Sequence, residues 1–167
     1  MDLFEEIGKK RPKYALKYQK LMESFARKGA VDQAEAQESS YDLGKFFNTQ
    51  YELYIYAAFL GLSIDNPLPI ENAEDGKVFI EVRSWKPDDV VNYLIMCVFA
   101  KSKIDFNALE DMDKTGVERE MRAFAKLLEA YANGGLDYLN GLLNKGELSF
   151  DDDYCFVKLL KEVDVKE

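Results

Sequence analysis

The sequence predicts a mainly α fold, a single-domain helical bundle of about six helices with at most a small β-hairpin near residues 68–83. Three observations predict it. Apolar residues recur three and four positions apart over most of the chain, which is the spacing of one helical face. Only one stretch, Val78-Phe79-Ile80-Glu81-Val82-Arg83, reads convincingly as a strand. Start and stop residues, such as Pro87 with Asp88 and Asp89 or the pair Lys145-Gly146, bracket the periodic segments at helical lengths.

Taken in order, Pro12 to Lys28 places Tyr14, Tyr18, Leu21 and Phe25 on one stripe and predicts an amphipathic helix edged by Lys13, Lys17, Lys20, Arg27 and Lys28. Asp32 and Glu35 have the Asp-x-x-Glu order of a further helix start. Tyr41 to Leu62 is aromatic-rich, and Phe47, Tyr51, Tyr54 and Ala58 predict one helix that ends at Gly61. Ser63 to Gly76, with Asn66-Pro67, Pro69 and Asp75-Gly76, reads as a loop, and Leu68 to Ile70 is the expected partner of the lone strand.

Proline and two acids at residues 87–89 suit the first turn of a helix running to Lys101, whose wide apolar face includes Val90, Val91, Leu94, Ile95, Val98 and Phe99. A short turn is expected at Phe106 to Glu110, followed by a capping box made by Thr115 and Glu118. Val117, Met121, Phe124, Leu127, Leu128 and Tyr131 then line a helix that Asn133-Gly134-Gly135 is expected to end, with a second short helix carrying Leu136, Leu139, Leu142 and Leu143. Phe150 to Lys161 supplies the last expected helix.

Composition narrows the function classes. The chain has 167 residues, enough for one domain with its own core. It has no histidine, which removes the commonest proton shuttle near neutral pH, the commonest zinc ligand and every Ser-His or Cys-His pair. Cys97 and Cys155 sit singly in apolar surroundings and read as buried thiols of a reducing compartment. The acidic start Met1-Asp2-Leu3-Phe4-Glu5-Glu6 lacks signal-peptide order, and no apolar run approaches the length of a membrane span, so the expectation is a soluble, cytoplasmic protein with no membrane partner.

Net charge is −9, unevenly spread. Residues 1–30 carry eight Lys/Arg against four Asp/Glu, and the remainder 14 against 27. The chain, 1–167, therefore reads as a basic amphipathic N-terminal helical arm over 1–40 and an acidic body over 41–167. An acidic body repels phosphate backbones, so direct nucleic-acid contact is expected only through residues 9–28, with Lys13, Lys17, Lys20, Arg27 and Lys28 as the candidates. The same stripe also reads as a solvated helix face or as a clamp on the acidic body.

Motifs for chemistry are sparse. Asp111-x-Asp113-x-Thr115-Gly116 opens like an EF-hand loop, but position twelve is Arg122 in place of the bidentate glutamate, so no metal is expected. The pairs Asp88-Asp89, Glu118-x-Glu120 and Asp151-Asp152-Asp153 lie near helix starts, where acids complement the dipole. No phosphate-cradling glycine loop and no Gly-x-Ser-x-Gly occurs, and no cofactor or catalytic residue is assigned. A carboxylate-dependent hydrolase using Glu81 or Asp89 stays open as an alternative.

The order Phe47, Leu53, Tyr56-Ala57-Ala58-Phe59-Leu60-Gly61-Leu62, Pro67-Leu68-Pro69 and Tyr131-Ala132-Asn133-Gly134-Gly135-Leu136 resembles small accessory proteins encoded beside DNA phosphorothioation (DNA sulfur-modification) gene clusters, over residues 46–143. The resemblance implies a setting in phage defence and transfers no catalytic residue. The leading expectation is a small, acidic, non-enzymatic protein that acts through protein contacts as an accessory factor in DNA modification or restriction. Tyr131, Asn133, Gly134 and Gly135 are the expected partner-binding surface, where the bare glycine backbone lets a partner approach and also serves as a hinge between helices.

Overall fold

The computed structural model describes residues 2–26 and 46–164. Among them are seven α-helices and one two-stranded antiparallel sheet, so the fold is mainly α with one small hairpin-like pairing. In chain order the elements are α1 (Leu3–Gly8), β1 (Lys13–Ala15), α2 (Gln19–Phe25), α3 (Gln50–Ser63), β2 (Gly76–Val78), α4 (Asp88–Lys101), α5 (Phe106–Asp111), α6 (Lys114–Lys145) and α7 (Cys155–Asp164). Among the described residues, no helix is long and apolar enough to cross a membrane.

The first correction concerns residues 12–28. The segment is not one helix but β1, a 3-10 turn at Leu16–Tyr18, and α2. Tyr14 and Tyr18 are both buried, as their spacing suggests, yet a strand and a tight turn deliver them to the core. The sheet wins over the helical pattern because β2 supplies a ladder, with Lys13 opposite Val78, Tyr14 opposite Lys77 and Ala15 opposite Gly76. The Tyr14 ring then meets Phe79 edge-on at 5.9 Å. The expected pairing of residues 68–70 with 78–83 is therefore replaced by β1 with β2, and Val82–Ser84 forms a 3-10 turn.

Helix α3 begins at Gln50, where the Thr49 hydroxyl accepts from the Glu52 N–H at 3.2 Å, rather than at residue 41. Residues 27–45, which include Arg27, Lys28, Asp32 and Glu35, lie outside the described residues. Gly61 lies inside α3 and does not end it. The aromatic set around it is core material: Phe46, Phe47 and Tyr56 all gather on the Phe156 ring of α7, with centroids 5.0–5.5 Å apart. The Tyr56 hydroxyl ties the same place by donating to the Phe156 carbonyl at 2.7 Å.

Helix α4 starts directly after Pro87, as expected. The turn expected at 106–110 is the short helix α5, capped by Asp105. The cap of α6 is the Asp113 carboxylate, accepting from the Gly116 N–H at 2.8 Å, and Thr115 already lies within the helix. The last helix, α7, starts at Cys155, five residues later than the apolar pattern suggests. Cys155 is buried and Cys97 half-buried.

The largest correction is at Asn133-Gly134-Gly135, which does not break the chain's helical course. Helix α6 runs unbroken through 32 residues and stops at Gly146, whose φ of 68° is the left-handed C-terminal cap that the Lys145-Gly146 pair predicts. Residues 130–136 are buried one after another, so this stretch of α6 is surrounded on all sides. The most extensive contact in the fold is α3 against α6.

Candidate functional site

The Asn-Gly-Gly block survives inside a helix because three segments press against it. A Cβ on Gly135 would lie 1.8 Å from the Ala57 carbonyl oxygen, and one on Gly61 would lie 1.9 Å from that of Tyr131, so the two glycines let the α3 and α6 backbones touch. A Cβ on Gly134 would lie 1.6 Å from the Asn66 carbonyl oxygen, so this glycine admits the loop after α3. The same loop donates the Leu68 N–H to the Ala130 carbonyl at 2.9 Å. Two glycines cost a helix about 2 kcal/mol of propensity. The contacts that only glycine permits offset that cost, which is why local propensity loses here.

Asn133 faces the third segment. Its Oδ1 accepts from the Ala15 N–H at 2.9 Å, and one turn earlier Glu129 Oε1 accepts from the Lys13 N–H at 2.9 Å. The Tyr54 hydroxyl donates to the Lys13 carbonyl at 2.8 Å. The edge of β1 that faces away from β2 is thus satisfied by side chains of α6 and α3. Burial pushes the Glu129 carboxyl above the usual range, opposed by the Lys13 amide and by the Lys13 and Lys126 charges. Tyr131 is buried, and its hydroxyl donates to Asp65 Oδ1 at 3.1 Å, which Lys101 also contacts at 3.2 Å. Lys101 first, then Tyr131, holds the Asp65 carboxyl below its ordinary value.

A cavity of about 320 Å³ opens beside this junction, walled by Ala15 to Tyr18, Leu68 to Asn72, Asp75 and Asn133. The Nδ2 of Asn133 has no hydrogen-bond partner there, although the residue is 2% exposed. The Tyr18 hydroxyl donates to Asp137 at 2.7 Å, and burial followed by that bond raises its pKa. The cavity can take small polar matter with an acceptor near Asn133. All four residues expected at a partner surface, Tyr131, Asn133, Gly134 and Gly135, are instead buried in the junction.

The basic candidates are dispersed. Lys13 is half-buried on β1, Lys17 is exposed in the 3-10 turn with its Nζ 5.0 Å from the Tyr18 ring centre, and Lys20 is exposed on α2. Strand, turn and helix give them no common helical face. The hydrolase candidates are not brought together either: Glu81 pairs with Arg83, and Asp89 accepts from the Val90 N–H.

Two surfaces were not singled out from the sequence. On α4, Val90, Tyr93 and Met96 lie three residues apart on one exposed face, with Tyr93 66% and Met96 55% exposed, and Tyr93 stacks on Phe59 at 5.8 Å. The Cys97 thiol and the Asp164 carboxylate beside it raise the Tyr93 pKa. The signal was present as a second apolar spacing on α4, masked by the broader buried face. On α6, a shallow groove of about 870 Å³ is lined by Lys114, Thr115, Glu118, Arg119, Arg122, Ala123 and Lys126. Its cations alternate with acids in sequence, which hides their common face.

Residues 28–164 match the family model described as DNA sulphur modification system-associated protein 4. No curated protein and no solved structure matches the chain.

Proposed function

The chain belongs to the DNA sulphur modification system-associated protein 4 family, and we propose that within such a system it works as a non-enzymatic accessory factor, through contacts with other proteins. The observation that carries this reading is the exposed stripe Val90, Tyr93, Met96 on α4. Isolated apolar residues on a surface are ordinary, but three in register on one helix, beside Phe59, make a continuous patch. Tyrosine and methionine are enriched in interfaces, because each offers a large contact area and methionine adapts its shape. Covering the exposed parts of Tyr93 and Met96 contributes about 2–4 kcal/mol of transfer free energy, most of which offsets the cost of association.

Membership in the family supports partners drawn from the same modification system, and the acidic net charge of −9 supports basic counterparts among them. Cys97 and Cys155, neither of them in a disulfide, suit work in the cytoplasm, where disulfides are rare. We also take the chain as one folding unit, since Tyr14, Tyr18 and Phe25 join the same apolar cluster as Leu94, Phe124 and Phe156.

The test is co-purification of the tagged chain with the other proteins of its modification system, each expressed beside it. Wild type is expected to co-elute with at least one of them, and the variant Tyr93→Glu with Met96→Glu to lose it while keeping its helical spectrum. Co-elution unaffected by the variant, or none with any of these proteins, overturns the reading.

A further inference from the structure

The groove along the first half of α6 collects positive charge on a molecule of net charge −9. Lys114, Arg119, Arg122 and Lys126 line it, and Lys10 joins from the segment after α1, with its Nζ 2.9 Å from Glu118 Oε1. Arg122 Nε reaches the same carboxylate oxygen at 3.2 Å, so Glu118 fastens two cations side by side. Arg119 pairs with Glu120 at 3.2 Å. Five cations therefore stand around Glu118 and Glu120, with Asp113 beside Lys114 at one end and Glu129 near Lys126 at the other. The side chains of Arg119 and Arg122 remain 72% and 73% exposed, so their guanidinium groups are open to a ligand.

We infer that this face, built by α6 and completed by Lys10, docks the phosphodiester backbone of duplex DNA. Lys114 to Lys126 spans about 18 Å along the helix, at 1.5 Å per residue. Duplex DNA carries one negative charge per about 1.7 Å of its axis, so a basic face of that length meets several phosphates at once. Guanidinium groups match phosphate oxygens with paired donors, which favours arginine at the middle of the face. On a chain of net charge −9, DNA can approach only where cations gather, as they do along this face. The match to a family of DNA sulphur modification systems provides the setting in which duplex DNA is at hand. The surface is distinct from the α4 stripe, so either can fail without the other.

The test is fluorescence anisotropy of a labelled duplex of mixed sequence, titrated with the full chain at several salt concentrations. Wild type is expected to bind at low salt and to weaken steeply as salt rises, with a slope of log K against log salt of about −3 to −4. Arg119→Gln with Arg122→Gln is expected to weaken binding about tenfold or more and to reduce the slope by about 2. Both residues are exposed, and an unchanged circular dichroism spectrum excludes misfolding. Lys17→Gln with Lys20→Gln is expected to leave binding within about twofold. The inference is overturned if wild type does not bind at low salt, if the double arginine variant binds like wild type, or if the Lys17 and Lys20 variant loses as much.

Discussion

The α-carbon of Gly135 lies so close to the Ala57 carbonyl that an added Cβ would stand 1.8 Å from its oxygen. Together with Gly61 under the Tyr131 carbonyl, this contact makes the α3 and α6 backbones a close-packed pair. The Asn-Gly-Gly block is consequently a junction where a helix, a loop and a strand edge meet α6.

Glycine substitutions along α6 should therefore have opposite signs. Gly135→Ala forces backbone against backbone and is expected to destabilise by on the order of 3 kcal/mol or more. Gly141→Ala, in the same helix with nothing within 4 Å of the new Cβ, is expected to stabilise by about 0.5–1 kcal/mol. Urea midpoints of the two variants measure the difference, and equal effects would remove the close-packing account.

Asn133 caps the Ala15 N–H, and its loss should be felt in β1. Asn133→Ala is expected to cost about 1–3 kcal/mol, because it leaves that donor without its acceptor in a half-buried strand. Asn133→Asp retains the acceptor but places a carboxyl where it is 2% exposed. Burial raises the pKa of such a group, so this variant is expected to be nearest wild type in acid and to lose stability as pH rises through the raised value. Thermal midpoints against pH test it.

Glu129 supplies a pH dependence already present in the native chain. Its folded pKa is raised, chiefly by burial, so the folded state holds its proton more tightly than the unfolded state does. Its contribution is most favourable below the ordinary glutamate value and is lost as pH rises through the raised one. Glu129→Gln can still accept from the Lys13 N–H. The variant is expected to gain stability relative to wild type as pH moves from acid to neutral, and chemical denaturation at both ends measures it. A relative gain on acidification would contradict the burial argument.

The Tyr54 hydroxyl meets the other polar group of the same strand edge, the Lys13 carbonyl. Tyr54→Phe is expected to cost about 1 kcal/mol and to raise hydrogen exchange at Lys13 and Ala15. Unchanged exchange there would show that α6 alone holds β1.

Much of the fold was legible in the sequence, and the failures have identifiable causes. Val91, Leu94, Ile95, Val98 and Phe99 of α4 and Val117, Met121, Phe124 and Leu128 of α6 are buried as their spacing predicts, and α6 stops at Gly146 as expected. Val90, placed on the same core face, is instead exposed, and Phe47 of the expected α3 stripe lies before that helix. β1 was hidden because Tyr14 and Tyr18 are four residues apart, a spacing that a strand followed by a 3-10 turn can also bury. Gly134 and Gly135 looked like a stop because local propensity carries no record of Asn66 and Ala57, which approach from far along the chain. The two exposed surfaces were not legible, since α4 carries apolar side chains on both its faces and the α6 cations are interleaved with acids.

The central claim, that the chain acts by protein contacts through α4, is tested most directly by the affinity of its modification-system partner for three forms of the purified chain. Wild type and Arg119→Gln with Arg122→Gln are expected to bind the partner equally, and Tyr93→Glu with Met96→Glu to bind at least about thirtyfold more weakly, the loss of roughly 2 kcal/mol expected of interface anchors. Equal binding by all three forms would contradict the claim.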